Sequence, residues 1–335
     1  MKKHLIISFI LLTFISACSD ESSEQVGQSE KTNVVDQQVA PESTDVSSTV
    51  TGSKDAVNTA QKQSAVEDTV PADLSQTDAD TDTNKALLKV CADPYMMPYS
   101  NQQEEGYENK IANLIAEKFG MEVKYTFFPQ RIGFIRNTLR AEEGDGFKCD
   151  LVITVPDKFE LAATTDPYYT TSYVLVYVKG RKLDDVTSPE MLSDVVNKEG
   201  RDIKIGLSDR GPGQMWVFYN ELMSNMVPYQ GQPGDPKVIP GQKLIEELIA
   251  GNIDATVIMG PTAGYFAKKY KDKAELVLLT LQDDPRSAEL KFKYNFSMAV
   301  RYGEKEWKEK LNNFIKDNKA EIEDILLSYG VPLIK

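Results

Sequence analysis

Beyond His4, four residues from the start, this 335-residue chain contains no histidine. Ser-His-Asp and Cys-His nucleophilic schemes are thereby excluded, as are histidine-based zinc sites. The chemistry left to it is that of carboxylates, guanidinium groups and aromatic faces. Asp93 and Asp166 stand where a small-molecule lyase would want general acids, but no base accompanies either in the sequence. Arg131 follows a predicted strand and could hold an anion or a partner's carboxylate; a solvated or internally paired arginine fits the residues equally well. Ser208 and Arg210-Gly-Pro-Gly213 end a strand and precede a helix, so backbone N–H groups there could take an anion. Glycines also simply make turns. Asp78, Asp80 and Asp82 alternate like the start of a calcium loop, yet Thr83 stands where the loop needs Gly and Lys89 where it needs Glu. No metal motif and no cofactor motif is present.

The denser signal is aromatic and sulfur-rich. Asp93-Pro-Tyr95-Met-Met97-Pro-Tyr99 follows an apolar run, and Phe128, Gln130, Phe134, Tyr168, Tyr169 and Met259 fall near the ends of other predicted elements. Methionine suits adaptable contact surfaces, and aromatic residues carry much interface energy. Any one of these residues reads more simply as core packing. The Tyr95–Tyr99 loop as a group reads as a cleft wall, because Pro94 and Pro98 break a core element.

Strands must alternate with helices to position these residues. Leu87–Ala92 is an apolar strand, and 107–119 carries Ile111, Leu114, Ile115 and Phe119 on one helical face before Gly120 stops it. Strand 122–128, helix 132–140 and strand 150–155 follow, then strand 173–178. The cycle restarts with strand 203–208, helix 214–223, strand 237–239, helix 242–250, strand 254–259 and helix 261–270. Strand 292–300 and helices within 304–327 close the chain. This pattern predicts an α/β fold of two doubly wound lobes joined by a hinge of crossing strands. Lobe 1 would comprise 87–178 and 283–335, and lobe 2 would comprise 179–282. Ligands of open α/β sheets sit outside the carboxyl ends of the strands, which directs Asp93 to Asn101 at a cleft.

Residues 1–18 read as an export signal: Lys2, Lys3 and His4, then an almost wholly apolar run from Leu5 to Ile15, too short to span a bilayer comfortably. Ile15-Ser-Ala-Cys18 resembles a bacterial lipobox, which implies cleavage before Cys18 and lipidation of its thiol. An ordinary signal cleaved after Ala17 would leave Cys18 free. Ser19 behind it points by resemblance to the outer rather than the inner membrane of a periplasm. Residues 19–86 hold 14 acids and four lysines and lack Phe, Tyr, Trp and Ile. They predict an acidic, disordered tether, unable to bury enough surface to offset its ordering entropy. The net charge of −13 argues against a nucleic-acid partner. Cys91 and Cys149 are the other cysteines; in an oxidising compartment two such thiols tend to pair. If their strands are parallel neighbours, the register could instead hold the sulfurs apart. Both outcomes stand.

Several stretches together resemble the type II periplasmic solute-binding proteins: Leu88-Lys-Val-Cys-Ala-Asp with Pro98-Tyr-Ser, Asp150-Leu-Val-Ile, Thr165-Asp-Pro-Tyr-Tyr169, Gly251-Asn-Ile-Asp-Ala255 and Phe296-Ser-Met-Ala-Val-Arg301. The likeness covers 87–335. Three more stretches resemble the MoxJ/XoxJ-type family: Pro129-Gln-Arg-Ile-Gly-Phe-Ile-Arg-Asn-Thr-Leu139, Gly260-Pro-Thr-Ala-Gly-Tyr-Phe-Ala267 and Ile325-Leu-Leu-Ser-Tyr-Gly-Val-Pro-Leu333. That resemblance implies a non-enzymatic accessory protein that serves a pyrroloquinoline-quinone (PQQ) methanol dehydrogenase, or its small c-type cytochrome, in the periplasm. The lipobox and the tether lie outside it and add a membrane attachment.

Amino-acid receptors of the wider family place an Arg after the third strand and an Asp at the end of the strand that follows Gly-Asn-Ile-Asp. Counted from this chain's own motifs, those places hold Lys158 and Met259. The planar fork for a carboxylate and the acceptor for an ammonium are both gone. The resemblance thus implies a cleft for an apolar group or an inserted protein segment. A solute receptor for an ABC importer, handling something other than an amino acid, is the alternative.

Overall fold

The structure, a computed structural model, describes residues 85–335 apart from 232–233 and 287–290. The signal, Cys18 and the tether up to residue 84 lie outside the described residues.

The chain opens with β1 (Leu87–Ala92), a short hairpin of β2 (Tyr95–Met96) and β3 (Ser100–Asn101), α1 (Tyr107–Phe119) and β4 (Glu122–Phe127). Then come α2 (Phe134–Asn137), a second hairpin of β5 (Glu142–Glu143) and β6 (Gly146–Phe147), β7 (Leu151–Pro156), β8 (Ala163–Thr164) and the long β9 (Tyr169–Val178). The second cycle is α3 (Met191–Asn197), β10 (Ile205–Ser208), α4 (Pro212–Tyr219), β11 (Met226–Tyr229), α5 (Gln242–Ala250), β12 (Ala255–Met259), α6 (Gly260–Lys269) and β13 (Leu276–Thr280). The chain finishes with β14 (Lys293–Val300), α7 (Lys305–Asp317) and α8 (Lys319–Ser328).

The strands run in the order β11-β10-β12-β9-β14-β7-β1-β4, with β13 also on β9 and β8 on β14. Within this sheet β4, β1 and β7 form one parallel block, and β11, β10 and β12 form another. β9 and β14 are antiparallel to their neighbours and cross between the blocks. Tyr169–Ser172 pair with β14, while Tyr173–Tyr177 pair with β12 and Val174–Val178 with β13. Two lobes joined by crossing strands are therefore present. Alternate residues serve opposite faces. Leu88 and Val90 enter the core under α1, α7 and α8, whereas Cys91 enters a smaller core with Val152 and Leu139. In the second lobe Val174 and Val176 pack with α5 and α6, while Leu175 and Tyr177 pack with α3 and α4. Both faces of each block are covered, which is why these strands read as nearly unbroken apolar runs.

Four expectations need correction. The helix expected over 132–140 shrinks to the single turn of α2, because Gly133 adopts a left-handed conformation (φ 89°) just before it. The third parallel strand of the second lobe is β11, not 237–239. Pro228 masks it in sequence, but β11 is an edge strand, where a missing N–H on the solvent side is harmless. β9 begins at Tyr169, four residues before the expected 173. α4 starts at Pro212, a residue suited to the first helical turn, and ends at Tyr219. Cys91 and Cys149 are joined as a disulfide, with Cα atoms 5.4 Å apart. Register did not keep them apart because Cys149 precedes β7, whose Val152 is the partner of Cys91.

Candidate functional site

The loop after β1 is tied down by one acid. The Asp93 carboxylate accepts the Tyr95 N–H at 2.7 Å on Oδ1 and the Gln130 N–H at 2.5 Å on Oδ2. Its own N–H donates to Ser100 Oγ, whose hydroxyl donates back to the Asp93 carbonyl at 2.8 Å. Burial pushes its pKa up, opposed by those two N–H donors and by the Arg131 charge. Asp93 thus couples the ends of β1 and β4. Main-chain donors engage both of its oxygens.

The same loop seats α1. The N–H groups of Tyr107 and Glu108 donate to the carbonyls of Pro98 and Tyr99 at 2.8 and 2.9 Å. Asn109 Oδ1 accepts from the N–H of Gly106. These bonds satisfy the donors a helix start leaves open. They also hold Tyr107 and Glu108 under the carboxyl ends of β1 and β7, where a tyrosine cluster gathers. The Tyr99 and Tyr107 rings lie 5.1 Å apart, and the Tyr107 and Tyr169 hydroxyls are 2.9 Å apart. The Tyr168 hydroxyl is 2.7 Å from Thr154 Oγ1, and Tyr169 stacks on Phe296 at 5.0 Å.

Glu108 is buried within this cluster. Burial raises its carboxyl to about 8, against the Thr154 hydroxyl bond, which lowers it; the nearby Asp93 charge adds to the rise. Desolvation also drives the tyrosines up, so all four keep their protons at neutral pH. Sequence reasoning missed Tyr107, Glu108 and Thr154. An acid in the first turn of a helix ordinarily signals an exposed dipole partner, and only the tertiary contacts put tyrosines over this one.

The expected residues divide into separate groups. Tyr99, Tyr168, Tyr169 and Met259 come together: Met259 ends a strand of the second lobe yet packs on the core of the first. Tyr168 and Tyr169 are buried with their hydroxyls paired. Tyr95 and Met97 are half-buried in the loop above them. Phe128 and Phe134 belong to the core around the disulfide, Phe134 being buried there. Gln130, Arg131 and Phe134 border a groove of about 550 Å³ with Arg136, Arg140, Phe159 and Leu161. Arg131 Nη2 reaches across to the Asp235 carbonyl of the second lobe at 3.2 Å. Lys158 is exposed in the loop after β7. Ser208 and Arg210 stand on the second lobe at the turn into α4, where the Arg210 N–H donates to Gln214 Oε1 at 2.9 Å. Asp166 is exposed, and its N–H donates to Asn312 of α7 at 2.8 Å. Among the described residues, no group of three or more His, Cys, Asp or Glu gathers as a metal ion would require.

What the arrangement can do is hold apolar and aromatic groups beneath a basic rim.

Comparison with known proteins agrees with this architecture. Residues 88–330 match the sequence profile of the bacterial extracellular solute-binding proteins, family 3. Protein MoxJ of Paracoccus denitrificans is 22% identical over 258 residues, covering 74% of this chain and 89% of that protein. Protein MoxJ of Methylorubrum extorquens is 24% identical over 284 residues, covering 82% of this chain and 89% of that protein. Among solved structures, the periplasmic binding protein XoxJ from Methylobacterium extorquens AM1 superposes with a TM-score of 0.58 at 30% identity, over 74% of this chain and 99% of that one. MxaJ from Methlophaga aminisulfidivorans MPT superposes at 0.57 with 24% identity, over 74% of this chain and 100% of that one.

Proposed function

Because this chain belongs to the bacterial extracellular solute-binding proteins of family 3, and within them to the MoxJ/XoxJ type, we propose that it is a non-catalytic periplasmic partner of a PQQ methanol dehydrogenase. It binds the dehydrogenase or its small c-type cytochrome and assists maturation or activation. It works from a membrane, held there by acylation of Cys18.

The observation that carries this reading is the state of the two positions at which an amino-acid receptor of this fold would grip its ligand. One holds Lys158, exposed on a loop, and the other holds Met259, packed against the core of the opposite lobe. A zwitterion placed there would forgo charge-assisted hydrogen bonds worth about 1.5–3 kcal/mol each. The aromatic and methionine surface around the strand ends suits a protein segment instead.

The test is co-purification from solubilised membranes and periplasm of a methanol-grown host, using the full-length chain. Recovery of a quinoprotein dehydrogenase subunit or its cytochrome is expected. A chain that retains neither, yet is thermally stabilised by a small solute at micromolar concentration, is an importer receptor.

A further inference from the structure

We propose that the groove beside Gly133 is the dehydrogenase-docking surface, and that it takes a partner segment pairing an apolar side chain with carboxylates. This rests on the accessory-protein reading and names the chemistry that reading would use. The local backbone creates the surface. Gly133 turns left-handed (φ 89°), which cuts the helix to one turn and leaves Ile132 outside it, 99% exposed. A fully solvated branched aliphatic residue at the lip of an apolar depression is a poor solution for an isolated molecule and a good one for an interface.

Phe134, Val155 and Phe159 line the groove, and Leu161, 49% exposed, borders it with Ile132. Its volume of about 550 Å³ suits one or two large side chains. Arg131, Arg136 and Arg140 border the same space, in a chain whose net charge is −13. Three other arginines are neutralised internally, while Arg181 donates to the Leu248 and Ile249 carbonyls. Arg201 holds Asp185, Arg286 holds Asp284, and Arg301 holds Asp150. Arg136 and Arg140 have no such acid among the described residues. Arg140 donates instead to the Leu161 carbonyl and lies over the Tyr302 ring. Guanidinium groups around an apolar floor select a carboxylate-bearing, partly apolar segment, because the fork binds carboxylate in two places while the floor takes the neighbouring side chain. The groove lies at the carboxyl ends of β4 and β7, the side on which the loop after β1 also sits.

The experiment uses the full chain and purified quinoprotein methanol dehydrogenase. A photo-crosslinking benzoylphenylalanine is placed at Ile132, and affinity is measured for the wild type and for Arg136→Glu with Arg140→Glu. Crosslinks from position 132 to a dehydrogenase segment containing Asp or Glu are expected. The charge-reversed protein, with an unchanged melting temperature, should bind at least about tenfold more weakly at low salt. Ile132→Ser, which touches no core residue, should weaken binding without changing its salt dependence. Dehydrogenase binding that survives these substitutions with no crosslink from position 132 overturns the groove and leaves the accessory reading standing. Absence of any dehydrogenase complex removes both. Co-sedimentation with vesicles containing phosphatidylglycerol, abolished by the same charge reversal while dehydrogenase binding persists, reassigns this face to a membrane and overturns the proposal.

Discussion

Gly264 of α6 and Gly330, two residues beyond α8, bring the backbones of the two lobes into direct contact. A Cβ added at Gly264 would fall inside the Gly330 carbonyl oxygen, and one added at Gly330 would lie 2.6 Å from the Gly264 oxygen. Gly330 also holds φ 80°, a conformation other residues rarely adopt. The contact is framed on both sides. Gly260 leaves room for Pro332 only because it lacks a side chain, as a Cβ there would stand 2.6 Å from Pro332 Cγ. Lys268 Nζ donates to the carbonyls of Leu327 and Ser328 at 3.2 and 2.8 Å, closing the end of α8. Thr171 Oγ1 donates to the Pro332 carbonyl at 2.7 Å, and the Ile334 N–H donates to the Thr170 carbonyl. Two of the stretches that carry the MoxJ/XoxJ likeness therefore meet at the seam between the lobes.

Substitution at that seam should be felt by the whole molecule. Gly264→Val forces two backbones apart and is expected to cost about 1–3 kcal/mol, the usual range for overpacking. Urea unfolding measures the loss, and small-angle scattering should show a larger radius of gyration. A variant as stable and as compact as the wild type would mean that the lobes do not rest on this contact.

Glu108 should make the protein less stable as pH rises. Its folded-state carboxyl titrates near 8 against an ordinary value of 4.5, raised chiefly by burial. Below about 4.5 it is protonated in both states and its contribution is complete. Between 4.5 and 8 the native state alone holds the proton, so stability falls by about 1.4 kcal/mol per pH unit from this group. Glu108→Gln keeps the shape and removes the ionisation. Denaturant midpoints measured from pH 5 to 8 should decline for the wild type and run flatter for the variant; parallel curves would contradict the burial of this carboxyl.

Removing Asp93 should damage the fold more than any ligand site. Asp93→Ala strands the Gln130 and Tyr95 N–H groups, and bonds to a charged acceptor contribute about 1.5–3 kcal/mol. The expected result is a loss of stability in that range, with faster hydrogen exchange at Gln130 and through the loop 94–101. Unchanged exchange at Gln130 would show that the carboxylate faces elsewhere.

The disulfide closes a 58-residue separation between Cys91 and Cys149. The double substitution Cys91→Ser, Cys149→Ser frees that loop in the unfolded chain, a cost of about 4 kcal/mol in the loop-entropy description. Reduction of the wild type should reproduce it in calorimetry. Equal melting temperatures with and without reductant would place the pairing in doubt.

The elements and their order were legible from local pattern, as in α5, whose bounds over Gln242–Ala250 match the expectation made from its apolar spacing. Such periodicity is written in neighbouring residues, and burial of both sheet faces amplifies it. The ends of elements were less legible. Gly133 and Pro228 act through backbone conformation and position in the sheet, and the sequence says only that a glycine or a proline is present. Methionine and tyrosine near strand ends could be named from sequence, but not sorted. Tyr168 turned inward to Thr154, Asp93 shared its carboxylate between its own loop and Gln130 beyond β4, and Glu108, at the start of a helix, became a buried acid among tyrosines. These outcomes depend on contacts between residues far apart in the chain, such as Gly264 with Gly330 or Cys91 with Cys149. One-dimensional spacing carries the propensity for a strand or a helix, whereas pairing, desolvation and close backbone approach arise only once distant segments compete for the same space.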